Sequence, residues 1–213
     1  MSSKKIKIHV WHTGTELVDT AIPFRNTSAI PLGIGRGRRH KMLLPVSSYF
    51  IEHPKGKVLI DTGWPESVRT SPYIDLGLTT IDSKPSLPFN WSVREHLDAI
   101  NLTPNQIDYV LLAQLDTDHV GGIQLVRDAK KIMTSSEELK ATQKPSMRYR
   151  QNLWKNTKIE PFEYDASDIG PLGKSYDLFN DGTVLIIATP GHSDGLSSVL
   201  ITNADNPIYS ISK

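Results

Sequence analysis

Tyr109-Val-Leu-Leu-Ala-Gln-Leu-Asp-Thr-Asp-His-Val-Gly-Gly122 is the stretch on which the reading of this chain turns. Tyr109 to Ala113 is an apolar run bounded by polar residues, the pattern of a buried strand. It breaks into Gln114, Asp116, Asp118 and His119, a set of oxygen and nitrogen donors packed into a few positions at a strand's end. If the chain stays extended, alternation puts Gln114, Asp116 and Asp118 on one side. His119 then needs a turn, and Gly121-Gly122 permits close backbone approach. Such a cluster is a candidate metal cradle. Read alone, the aspartates are equally a hydrogen-bonded turn, and His119 a satisfied buried histidine.

The rest of the chain narrows the classes. At 213 residues it is most simply one domain, 1–213, long enough to bury a core. A net charge of +1 gives no global field that would select nucleic acid or membrane. The absence of cysteine excludes disulfides, a thiol nucleophile and zinc–thiolate sites. With no apolar leader and no run long enough to span a bilayer, the expected location is cytoplasmic. No Gly-x-Ser-x-Gly elbow suggests a serine hydrolase.

Outward from the central stretch, Lys5 to His12 alternates as a strand with one wet face, and residues 13 to 45 read as irregular. Gly33, Gly35 and Gly37 lie there beside Arg36, Arg38, Arg39, His40 and Lys41; without a strand–glycine–helix context this is a surface loop or lid rather than a dinucleotide site. Val46 to Glu52 and Lys57 to Ile60 flank Pro54-Lys-Gly56 as a hairpin, whose second strand ends in Asp61-Thr-Gly63. Without the other motifs, the alternative reading of that triplet is a turn after a strand. Trp64, Phe89 and Trp91 stand among prolines and serines, either walling a pocket or packing on the core. Ser92-Val-Arg-Glu95 and Ser135-Ser-Glu-Glu138 are capping-box patterns that start helices. Lys131 to Thr134 reads as a short strand. In residues 141 to 157 the spacing of Arg148, Arg150 and Lys155 suggests a solvated helix face. Ser175 to Phe179 and Thr183 to Ala188 pair across an Asp-Gly turn, and the second of them ends at Thr189-Pro-Gly-His192. Leu196 to Thr202 and Pro207 to Ile211 form a last pair.

Asp61-Thr-Gly63, Asp118-His119 and Thr189-Pro-Gly-His192, in this order, resemble the metallo-β-lactamase-fold hydrolases. The helix, Leu102-Thr-Pro-Asn-Gln-Ile-Asp-Tyr-Val110, then the donor cluster, resembles the N-acyl homoserine lactonase branch. The family's signature at the cluster is His-x-His-x-Asp-His; this chain reads Gln114-Leu-Asp116-Thr-Asp118-His119, with Gln and Asp at the two leading histidines. The resemblance implies a four-layered αβ/βα sandwich with two mixed β-sheets, incomplete at the C-terminus. It implies that His192 completes the first metal's shell and that Asp61 orients the cradle without touching the metal. The bridging aspartate and closing histidine of the family have no counterpart before Lys213, and Tyr209 precedes the bridging position.

The expected ligand set is therefore Gln114, Asp116, Asp118, His119 and His192, around one or two divalent ions. Zinc is implied by resemblance; an Asp/Gln-rich set moves preference toward manganese, iron(II) or magnesium. The expected activity is metal-dependent hydrolysis of a lactone or carboxylic ester, with Asp118 orienting or deprotonating the attacking water and Trp64, Phe89 or Trp91 lining an acyl pocket. The alternatives are a non-catalytic relative that binds a ligand or partner, and a hydrolase of thioesters or phosphodiesters. The expected partner is a small molecule, not nucleic acid or membrane. An exposed sheet edge left by a short C-terminus predicts a homodimer or poor solubility.

Overall fold

The computed structural model describes residues 5–20, 37–77, 80, 83–146, 148–203 and 206–211. Gly33, Gly35 and Arg36 of the glycine-rich basic stretch lie outside them. In chain order the elements are β1 (Lys7–Asp19), β2 (Lys41–His53), β3 (Gly56–Ile60), α1 (Pro72–Leu76), β4 (Ser83–Ser86), α2 (Val93–Ala99) and β5 (Tyr109–Leu111). There follow α3 (Thr117–Val120), β6 (Ile132–Ser135), α4 (Ser136–Ala141), β7 (Glu160–Phe162), β8 (Asp165–Ala166), β9 (Lys174–Asp177), β10 (Val184–Ala188), β11 (Ser197–Asn203) and β12 (Asn206–Ile211). Short 3-10 turns connect several of them.

Two sheets result. The first runs β4-β1-β2-β3-β5-β6-β7 and the second β12-β11-β10-β9-β8. In the first, β1 to β4 join through antiparallel pairs, and β3, β5, β6 and β7 run parallel. The second is antiparallel throughout. Period-2 alternation explains how the sheets meet. Val58 and Ile60 of β3 and Leu111 of β5 face Val184, Ile186, Val199 and Ile201 of the second sheet. Leu59 and Val110, one residue out of phase, face the other way onto Val93 and Leu97 of α2. The buried side chains thus fall into two clusters, one between the sheets and one under the helices, as a mixed α/β fold with two sheets requires.

Two expectations change. The stretch after His12 is strand, not loop: β1 continues to Asp19, and β2 begins at Lys41. A register shift between His12 and Gly14 breaks the alternation that makes a strand visible in sequence. Residues 141 to 157 are not a solvated helix: among the described ones α4 ends at Ala141 and Gln151–Trp154 forms a 3-10 turn. Lys144-Pro145 disfavours the helical conformation at its first residue. The helix starts at Ser92 and Ser135 hold: each serine's Oγ accepts from the amide three residues on, at 3.3 and 3.1 Å. Among the described residues no helix is long and apolar enough to cross a membrane.

Candidate functional site

The parallel register β3–β5 sets Ile60 beside Leu111, so Asp61 and Leu112 leave the sheet at the same edge. There the backbone is laced. Asp61 N donates to Leu111 O (2.9 Å), Thr62 N to His119 O (2.7 Å) and Gly122 N to Gly63 O (2.9 Å). Thr62 Oγ1 also donates to His119 O, at 2.8 Å. Glycine is required at the crossing: a Cβ on Gly121 would lie 2.5 Å from Pro65 Cδ, and one on Gly122 would overlap Thr62 O.

This lacing fixes the Asp61–His119 pair. Asp61, at φ 58°, accepts from Ala113 N through Oδ1 (2.8 Å) and meets His119 Nδ1 through Oδ2 at 2.7 Å. Both are nearly inaccessible to solvent. A carboxylate on Nδ1 assigns the proton to that nitrogen and leaves the lone pair on Nε2. Nε2 lies 2.7 Å from Gln114 Nε2, which donates to it, and 3.5 Å from Asp118 Oδ2. Asp118 and His119 stand on α3, a single helical turn preceded by Asp116, so Asp118 is not in extended alternation with Gln114 and Asp116.

From the opposite side comes a residue that the sequence reading left on the surface. Arg148 forks onto Asp116: its Nε donates to Oδ1 and its Nη2 to Oδ2, the latter at 2.6 Å. Nη2 also donates to Gln114 Oε1 at 3.1 Å, and Nη1 to the carbonyl of His192. His192 Nε2 lies 3.0 Å from Asp116 Oδ2, on a side chain half exposed to solvent. Burial works against the Arg148 charge, but the bonds and charge of Asp116 outweigh it and raise the guanidinium pKa above its ordinary value, so it is a fixed cation. Asp61, His119, Gln114, Arg148, Asp116 and His192 thus form one continuous polar chain across all three sequence motifs.

Glu138 was likewise invisible as a site residue. It reads in sequence as a helix-capping glutamate, yet its fully buried carboxyl accepts from Leu115 N (2.9 Å) and Gly195 N (3.2 Å). It ties the turn that bears Gln114 to the turn that bears His192. The aromatic residues expected in a pocket are not gathered there. Trp64 is 1% exposed in the core, its Nε1 donating to Thr15 O at 3.2 Å. Phe89 is 78% exposed, with the Arg69 guanidinium 4.9 Å from its ring centre. Trp91 packs on the rim of the core, 5.8 Å from the His12 ring. The serine- and proline-rich segment around them carries no pattern that separates core from pocket.

A two-sheet mixed sandwich with an Asp–His pair and a donor cluster at the sheet edge defines a class of hydrolase scaffold. Residues 42–208 match the Metallo-beta-lactamase superfamily, and the chain belongs to it. It is 27% identical over 172 residues to the N-acyl homoserine lactonase AttM of Rhizobium radiobacter, covering 81% of this chain and 64% of that protein. To an N-acyl homoserine lactonase of Bacillus cereus it is 26% identical over 159 residues, covering 74% and 58%. The chain therefore spans less than two thirds of the length of these relatives. Among solved structures it overlays an N-acyl homoserine lactone hydrolase, with N-hexanoyl-L-homoserine bound at its catalytic metal centre, at a TM-score of 0.73 and 22% identity, covering 98% and 74%. A dizinc quorum-quenching lactonase, AidC, matches at 0.64 and 16% identity, covering 99% and 71%. At these identities the overlays show the fold.

Members of this superfamily bind divalent metal ions. Among the described residues no three His, Cys, Asp or Glu side chains converge as metal ligands. Gln114, Asp116 and His192 turn toward Arg148 or one another, and the His119 lone pair faces the Gln114 amide. Asp118 with His119 is one donor short of the three protein ligands that a catalytic zinc site uses. The residues as arranged do not fit a two-metal centre.

Proposed function

We propose that this chain is a hydrolase of a lactone or simple carboxylic ester, of the N-acyl homoserine lactonase kind. The observation that carries the reading is the Asp61–His119 pair, pinned by laced backbone at the ends of β3 and β5 with Asp118 beside it. The curated relatives, N-acyl homoserine lactonases, support the same substrate class.

The chain's own residues supply the following chemistry. Asp61 fixes the tautomer of His119 and faces its Nδ1 proton. Asp118, whose side chain is 20% exposed, reaches solvent next to His119 Nε2 and takes the proton of the attacking water. The water oxygen bonds to the carbonyl carbon, the C–O ring bond breaks, and the leaving oxygen takes up a proton to give the hydroxy acid. Ring opening of N-hexanoyl homoserine lactone, followed by acid release, tests the proposal. Wild-type turnover with a loss of roughly 100-fold or more in Asp118→Asn is expected for a general base. Absence of turnover on lactones and aryl esters, with and without added metal, refutes it.

A second reading is favoured by Arg148 alone. A cleft whose acceptors are already saturated by a guanidinium suits a ligand held without turnover. Calorimetric binding of the lactone with no hydroxy acid formed would select that reading.

A further inference from the structure

We infer that the Arg148 guanidinium is the resident cation of the Gln114–Asp116–His192 end of the cleft, standing in place of a metal ion, and that Gln114, Asp116 and Arg148 are one matched set. This goes beyond the proposed hydrolysis and holds whichever ligand the cleft takes.

The matching is chemical. Two imidazoles at positions 114 and 116 would aim lone pairs at a single point, which suits a metal ion. A carboxylate and an amide oxygen instead suit a planar fork of N–H donors. Asp116 receives two of Arg148's hydrogen bonds, Gln114 Oε1 a third and the His192 carbonyl a fourth. Gln114 does a second thing. Its amide nitrogen caps the His119 Nε2 lone pair at 2.7 Å while its oxygen faces the guanidinium. The lone pair that a metal would take is thereby occupied. Charge follows the same logic. Asp116 and Arg148 cancel, so a divalent ion entering at this end would find no net negative charge and would have to displace four hydrogen bonds. The half-exposed His192 ring, 3.0 Å from Asp116 Oδ2, points to the pair rather than to an open coordination position.

The test is metal uptake. The full chain, purified without chelator, is dialysed against zinc or manganese and analysed by mass spectrometry. The wild type should show the same metal content as His192→Ala. Arg148→Met should bind zinc at least ~10-fold more tightly than the wild type, and the double variant Arg148→Met/His192→Ala should lose that gain. A wild-type ion that disappears in His192→Ala would overturn the inference, as would a folded Arg148→Met that binds zinc no more tightly than the wild type. If Arg148→Met does not fold, the wild type decides alone. Its Arg148 Nε–H resonance should stay protected and unshifted as zinc is added, and its loss would overturn the inference. Lactone turnover is a separate readout, so failure of the hydrolase reading leaves these results interpretable.

Discussion

Truncating Glu138 to alanine strips the acceptor from two amides buried in different turns. Leu115 N and Gly195 N bond to its two oxygens at 2.9 and 3.2 Å, and the side chain is 0% exposed, so water cannot take its place. An orphaned buried donor costs about 1–3 kcal/mol, so two cost about 2–6 kcal/mol. Glutamine keeps one oxygen and presents an NH2 group to the other amide, which places its cost near half of that. Urea unfolding reads both variants as midpoint shifts at constant slope. At roughly 2–4 °C per kcal/mol for a chain of this size, the thermal midpoint of Glu138→Ala should fall by at least about 4 °C. Hydrogen exchange gives the local signature: protection lost at Leu115 and Gly195 before the strands of the first sheet open. A variant within about 0.5 kcal/mol of wild type, or glutamine as damaging as alanine, would refute the assignment of Glu138 as the tie between the two turns.

Three further outcomes follow from the same geometry. Gly195→Ala drives a Cβ onto the Glu138 backbone nitrogen, which cannot retreat without moving α4; a loss of roughly 1–3 kcal/mol is expected in urea, and a neutral result would count against the packing. Trp64→Ala should cost about 3–5 kcal/mol as a core cavity, and a cost under about 1 would return the ring to the surface. Burial alone would raise the Glu95 pKa, but Arg69 and the Ser92 amide hold it down to about 2 from 4.5. Because the folded value lies below the unfolded one, its contribution is full above about pH 4.5 and is lost as pH falls toward 2. Acid unfolding of Glu95→Gln should therefore show a shallower decline through that window, and an unchanged slope would contradict the Arg69 pairing.

The fold was legible because its signals are local. Turn residues gave β3 and β10, serine caps gave α2 and α4, and three motifs in order gave the sheet edge. β1 was half missed because the bulge between His12 and Gly14 inverts the alternation just where the strand continues. The site was less legible for a different reason. Asp61, His119 and His192 sit inside motifs, but Arg148 and Glu138 reach the cleft through tertiary packing. A guanidinium in a polar stretch looks the same whether it faces water or a buried carboxylate. Gln114 and Asp116 read as departures from a pattern when taken one at a time. Only with Arg148 between them do they read as a complementary pair.

The glycine-laced crossing of residues 61–65 and 119–122 also makes the cleft mechanically one-sided. That crossing is sewn by buried backbone bonds with no room for a Cβ, whereas the turn that bears His192 is joined to it through side chains: Arg148 on Asp116 and Gln114, and the buried Glu138 carboxylate on Leu115 N and Gly195 N. Motion beside His119 is therefore expected first at the side-chain-held turn of residues 190–194, and last at the backbone-sewn crossing.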